Sequence, residues 1–270
     1  MAASTDSNTF HRSEQIDATL NAARQALYRY LSLALVDPLV GSWPHLSDSQ
    51  TQQSVLAAAE LLRGVPVVAS SERGPAELPA DKLDATELLK RLPATQQSLT
   101  DGYERVFGLL ITGTNPPHEM EYVNEKLTFQ RTHHLADIAG FYQAFGLQTR
   151  LEYPDRQDHI VMELEFMAFL IGMERQAVEE AEPESDERAN VCRHAQGRFL
   201  SEHLAWWTPA FGRILAHEHP QSYYAAVGAL LAAFIPAERV LFGLEPFAGS
   251  VRPEKTDPNS DCDDCALHSM

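Results

Sequence analysis

Residues 154–170 read PDRQDHIVMELEFMAFL. A charged, turn-prone opening, PDRQDH, runs directly into a segment that is apolar on almost every side. From Ile160 to Met173 eleven of fourteen residues are apolar, the exceptions being Glu163, Glu165 and Gly172. At about 100° per residue those positions cover nearly the full circle, so the spacing predicts a helix over 157–181 enclosed by other helices, the most buried of the chain. Glu163 lies four residues after His159, on the same face and one turn along, while Glu165 points to nearly the opposite side. A carboxylate in such surroundings is costly unless paired. His159 is an available partner, and Arg150, Arg156 and Lys126 are others.

The same helical spacing recurs on both sides of this segment. Residues 14–36 carry apolar groups at helical intervals and stop at Asp37-Pro38; a second helix fits 47–63, with Ser47 or Asp48 as N-cap. The stretch 64–80, GVPVVASSERGPAELPA, is dense in Gly, Pro and Ser and reads as a surface connection. Short helices follow near 81–92 and 95–110, then a loop at 111–119. The pattern resumes near 120, strongest over 132–145, THHLADIAGFYQAF, where Ala136 and Gly140 would let another helix approach closely. Beyond an acidic turn after 181, long helices fit 186–217 and 220–243. No alternating β-pattern of useful length and no internal repeat is present. The fold class expected is all-α, a single-domain helical bundle over 14–244, with a flexible N-terminus at 1–13 and an acidic, disordered tail at 245–270.

Charge narrows the partners. The chain has 270 residues, 21 basic against 38 acidic, for a net charge of −17. Nucleic acid and anionic membrane surfaces are themselves polyanions and are disfavoured; a basic peptide would be drawn in. No leader-like apolar region opens the chain and no run of 18 uncharged apolar residues occurs, which predicts a cytoplasmic protein without stable membrane insertion. Three cysteines are too few for a disulfide framework at this length. Cys192 reads as ordinary packing. In the tail, Cys262, Cys265 and His268 offer three zinc ligands where a closed site wants four. Trp206-Trp207 and Pro209 fit anchors for their helix or a dimer contact, leaving monomer or dimer open.

Two readings of the helix mouth remain open on spacing alone. Asp158 fits a helix N-cap, with His159 held by Glu163. Alternatively, His159 and Glu163 resemble one helix of the carboxylate and histidine metal sites inside bundles, with His133, His134 and Asp137 on another helix and His217 and His219 on a third. That ligand set is incomplete, because no second His-x-x-x-Glu appears.

Four stretches in order, YERVFGL (103–109), PPHEMEY (116–122), ADIAGFYQAFGL (136–147) and EYPDRQDHIVMELEFMAFL (152–170), resemble the TorD/DmsD/NarJ family of cytoplasmic chaperones for molybdenum enzymes. The resemblance is best over about 100–200. It implies a non-enzymatic, all-helical protein of anaerobic respiration, needing no cofactor of its own. Such a chaperone binds the N-terminal segment of an apoenzyme, often a twin-arginine signal peptide, and holds that catalytic subunit for molybdenum cofactor insertion. The client implied is a molybdopterin-dependent oxidoreductase of the DMSO reductase family. The family's Asp-His motif falls on Asp158 and His159, with Pro154 and Asp155 ahead of it, and is associated with peptide recognition. Tyr103, Glu104 and Phe107 match its tyrosine and phenylalanine motif; Glu119 and Tyr122 match the acid and aromatic after the proline-containing loop. On this reading Asp155, Asp158, Glu119 and Glu121 face the leader's guanidinium groups, while Phe141, Tyr142, Phe145 and Phe166 line its apolar part.

Overall fold

The computed structural model describes residues 16–108, 115–123, 128–148, 156–180, 182–249 and 251–253. The architecture is all-α, with no strand among the described residues. The longer helices are α1 (Ala18–Leu35), α2 (Ser49–Arg63), α3 (Gln96–Phe107), α4 (Thr128–Ala144), α5 (Ile160–Glu180), α6 (Ser185–Phe199), α7 (Ala205–Glu218) and α8 (Tyr223–Leu241). A π-helical turn, Leu200–Leu204, joins α6 to α7, so the single helix expected over 186–217 carries a local unwinding in its middle.

Helix starts are fixed by short polar side chains that accept otherwise orphaned N–H groups. Asp17 accepts from Leu20 N at 2.8 Å, Asp48 from Thr51 N at 2.8 Å and Ser222 from Ala225 N at 3.0 Å. Of the two caps weighed for α2, Asp48 makes the bond. The end of α4 is set by Gly146 at φ +73°, a conformation an L side chain rarely adopts.

α5 lies between α1 and α6, and Leu164, Met167, Leu170 and Ile171 are fully buried there. The most enclosed helix is nevertheless α8. Among the described residues it alone is long and apolar enough to cross a membrane, and 94% of that window is buried inside the protein. Its alanines and Gly228 make it look less greasy than 157–181, but small residues are what a helix in the centre of a bundle requires. α7 and α8 meet at Gly212 and Gly228, where a Cβ on either would fall against the other's carbonyl oxygen. The close approach expected at Ala136 and Gly140 does not occur: a Cβ at Gly140 meets nothing within 4 Å, and both residues face outward.

The Gly- and Pro-rich connection over 64–80 is more than a surface link. Pro236 inside α8 has no N–H to give, which frees the carbonyl of Ala232 one turn earlier. Leu78 N supplies the missing bond at 2.9 Å, and Glu77 pairs with Arg239 at 2.8 Å, both nearly sealed from solvent. Residues 245–249 also have defined neighbours, Phe247 lying 6.3 Å from the Trp206 ring.

Candidate functional site

The mouth of α5 is built by two short segments lying antiparallel. Glu119 N donates to the Asp158 carbonyl at 2.9 Å and Ile160 N to the Pro117 carbonyl at 2.8 Å, bringing His118 opposite His159. The loop before residue 120 is thereby fastened to the start of the helix.

Asp158 does not cap α5. It is fully buried, and its carboxylate accepts from Met120 N (3.1 Å) and from Arg156 Nε (3.0 Å) and Nη2 (2.8 Å). Arg156 also reaches Glu121 through Nη1 at 2.9 Å. The cap is His159 itself, whose Nδ1 accepts from Val161 N at 3.2 Å. Burial, with His118 and Arg156 nearby, pushes the His159 pKa down to about 3, so the ring is neutral and free to accept.

Glu163 is not paired with His159. Its Oε2 accepts from Trp207 Nε1 at 3.3 Å, and its buried Oε1 has no hydrogen-bond partner among the described residues. Burial, reinforced by Glu119 and Asp158, holds its carboxyl well above the usual range. His159 and Glu163 therefore do not converge as ligands, and the metal bundle read from that pair is not favoured. His217 is exposed, and His219 Nε2 lies 2.9 Å from Asn115 Nδ2.

Glu119 is the hub of the mouth. It is fully buried; Trp206 Nε1 donates to Oε1 at 2.6 Å, His134 Nε2 lies 2.8 Å from Oε1, and His203 Nδ1 lies 3.2 Å from Oε2. The Glu119 carboxylate raises the His134 pKa above the ordinary histidine value. Tyr122 packs on Trp207 at 5.1 Å and donates to the Pro116 carbonyl at 3.1 Å. Tyr142 donates to the Gln157 carbonyl at 2.9 Å and sets its ring on Phe166.

Beside this mouth, α4 and α6 leave a groove of about 760 Å³. Phe141 and Phe145 line one wall, Val191 and Ala195 the other, and exposed Gly140 forms part of the floor. Asp137, Glu187 and Arg198 supply its charges. Phe166 is buried behind the groove rather than lining it.

The structure thus gathers Glu119, Tyr122, Tyr142, Asp158 and His159 at one end of the bundle, with Phe141 in the adjoining groove. Tyr103 and Phe107 instead stack with Tyr224 of α8 (6.1 and 5.4 Å), and Glu104 is exposed on α3. Asp155 lies outside the described residues, as do Lys126, Arg150, Cys262, Cys265 and His268. Sequence reasoning missed His203 and the indole of Trp206 as partners of Glu119. Their approach depends on the π-turn, which no spacing rule anticipates.

Residues 75–213 match the family model described as nitrate reductase delta subunit. Among curated proteins, the chain is 28% identical to the perchlorate reductase assembly chaperone protein of Dechloromonas aromatica, over 86% of this chain and 95% of that one. It is 36% identical to the selenate reductase assembly chaperone protein of Thauera selenatis, over 40% of this chain and 53% of the relative. It is 33% identical to the chaperone protein TorD of Aliivibrio fischeri, over 37% and 43% respectively. The matches to the selenate and TorD relatives span about half of those proteins' length or less.

Proposed function

Since the chain belongs to the nitrate reductase delta subunit family, the family of NarJ and TorD, we propose that it is an assembly chaperone for a molybdenum-dependent oxidoreductase. In this role it binds the N-terminal leader of the apo catalytic subunit in the cytoplasm, without turnover, and holds the client open for cofactor insertion before export or assembly. The names of the perchlorate and selenate reductase relatives support a client of that general kind, and we take it to be a member of the DMSO reductase family.

The observation that carries this reading is the groove between α4 and α6 with acids at its head. A leader with arginines followed by an apolar segment needs carboxylates beside a greasy channel. Phe141, Phe145, Val191 and Ala195 supply the channel. Asp158 and Glu119 already hold internal donors, so they set the shape of the mouth. Exposed Asp137 is the acid positioned to meet a guanidinium from outside, while half-buried Glu121 already holds Arg156. Tyr103, Glu104 and Phe107 shape the α3–α8 contact in this assignment. The net charge of −17 accelerates encounter with a basic leader and sets no specificity.

Gly140→Leu tests the groove without disturbing the core, because a side chain there enters open space. The tagged protein, copurified from its native host, is expected to bring down a molybdoenzyme catalytic subunit, and Gly140→Leu to lose it while keeping its helical content. Equal recovery by both would move the client away from the groove. Recovery of no such subunit by the wild type would sink the chaperone reading.

A further inference from the structure

We infer that Glu119, His134 and His203 form a binding site for one divalent transition-metal ion of the zinc class at the head of the groove. Three separate elements deliver these side chains: the Glu119–Glu121 turn, α4 and the π-turn. Two imidazole nitrogens and a carboxylate are the donor types that zinc, cobalt and iron(II) prefer, with remaining positions left for water or a fourth ligand. The ligand atoms of the trio all lie within 4.8 Å of one another, and His134 Nε2 and His203 Nδ1 approach Glu119 at 2.8 and 3.2 Å. Tetrahedral ligands on a zinc ion with bonds of about 2 Å stand about 3.3 Å apart, so the 3.2 Å spacing already fits and the 2.8 Å one opens by about half an ångström on binding.

Three further features separate this cluster from an ordinary buried ion pair. His203 is 1% exposed at its side chain, yet its other nitrogen, Nε2, makes no hydrogen bond among the described residues and sits 3.4 Å from Asp137 Oδ2. Glu119 faces one ring nitrogen and Asp137 the other, so His203 stands between two carboxylates, the arrangement that orients a ligating imidazole. Trp206 Nε1 fixes Glu119 from behind at 2.6 Å, as an outer partner does for a ligating carboxylate. His134 is the more exposed histidine, 28% at its side chain, with its Nε2 itself buried, so an ion would enter past this ring.

An ion here would join α4 to the continuation of α6, the two elements that wall the groove. Its occupancy would brace the groove's head whatever the groove binds, so the site stands apart from the identity of the client.

The test uses the full chain carrying Cys262→Ser and Cys265→Ser, which removes the tail thiols as competing ligands. Stripped protein titrated with Co²⁺ and Zn²⁺ should bind one equivalent saturably, with cobalt d–d bands lacking thiolate charge transfer, and should melt at a higher temperature when loaded. His134→Gln should weaken binding at least tenfold, whereas His133→Gln, on the exposed neighbour, should leave it unchanged. Retention of full affinity by His134→Gln, or absence of saturable binding in the parent, overturns the site. If His134→Gln fails to fold, ¹⁵N-histidine spectra of the parent decide: two ring signals should shift on Zn²⁺ addition, and none shifting overturns the inference.

Discussion

Two arginine–carboxylate clusters in this molecule invite comparison, one sealed and one half open. In the sealed cluster Arg24 of α1 donates to Glu238 of α8 through Nε and Nη2, both at 2.8 Å, to Asn21 at 2.6 Å and to Gln196 at 3.0 Å. Gln196 and Asn21 pass the contact to Glu174 of α5, which Arg193 also reaches at 2.7 Å. Arg24 and Glu238 have no exposed side-chain surface. At the mouth, Arg156 bridges Asp158 and Glu121 with 40% of its side chain exposed, and the orphaned Glu163 Oε1 and His203 Nε2 are buried in the same region. The sealed cluster closes its hydrogen bonds and locks four helices together. The mouth leaves acceptors unmet and water at its edge, the condition of a surface that can exchange partners.

The contrast can be broken by substitution. Arg24→Met leaves Glu238 buried without its counter-charge and should cost roughly 3–5 kcal/mol in urea unfolding. Arg156→Met should cost less, about 1–3 kcal/mol, because Asp158 keeps the Met120 N–H and solvent is close. Equal losses would mean that the mouth is as structural as the clasp.

Acidity sharpens the comparison further. With its folded pKa raised, Glu163 keeps a proton that the unfolded chain has released, so stability present below the ordinary carboxyl pKa is lost as pH rises toward the folded value. Glu163→Gln should therefore flatten the fall of Tm as pH rises above the ordinary carboxyl pKa, read in a Tm–pH series. His159 acts in the opposite direction. Its folded pKa of about 3 lies below the unfolded value, so stability is lost as pH falls through the interval between them, by about 1.4 kcal/mol per unit. His159→Asn should reduce that acid sensitivity in a Tm–pH series. The smallest effect belongs to Gly140→Leu: removing a helical glycine whose Cβ meets open space should leave the unfolding free energy unchanged or raised by up to about 1 kcal/mol, read by urea unfolding.

Much of this protein was legible one element at a time. The periodicity of 157–181, the stop at Asp37-Pro38 and the cap at Asp48 are local effects, written in residues within a turn of one another, and the helices fall where those signals place them. The small pair Ala136 and Gly140 shows the limit of such reading. The spacing was right for a close helix contact, but the contact formed at Gly212 and Gly228, and the first pair was left to floor a groove. Glycine spacing states what a helix surface permits; which neighbour arrives is decided by the packing of all the others.

The buried charges make the same division. By itself the sequence determined that α5 would be enclosed, that its acids would need partners, and that the chain resembled a family of helical chaperones. Tertiary structure alone decided that Asp158 takes the Met120 N–H rather than the helix end, that Glu163 lies beside Trp207, and that Glu119 meets His134 and His203. Those partners stand 15 to 84 positions apart along the chain, and a buried carboxyl group is stabilised by whatever donor the fold brings within about 3 Å, not only by what is near it in sequence.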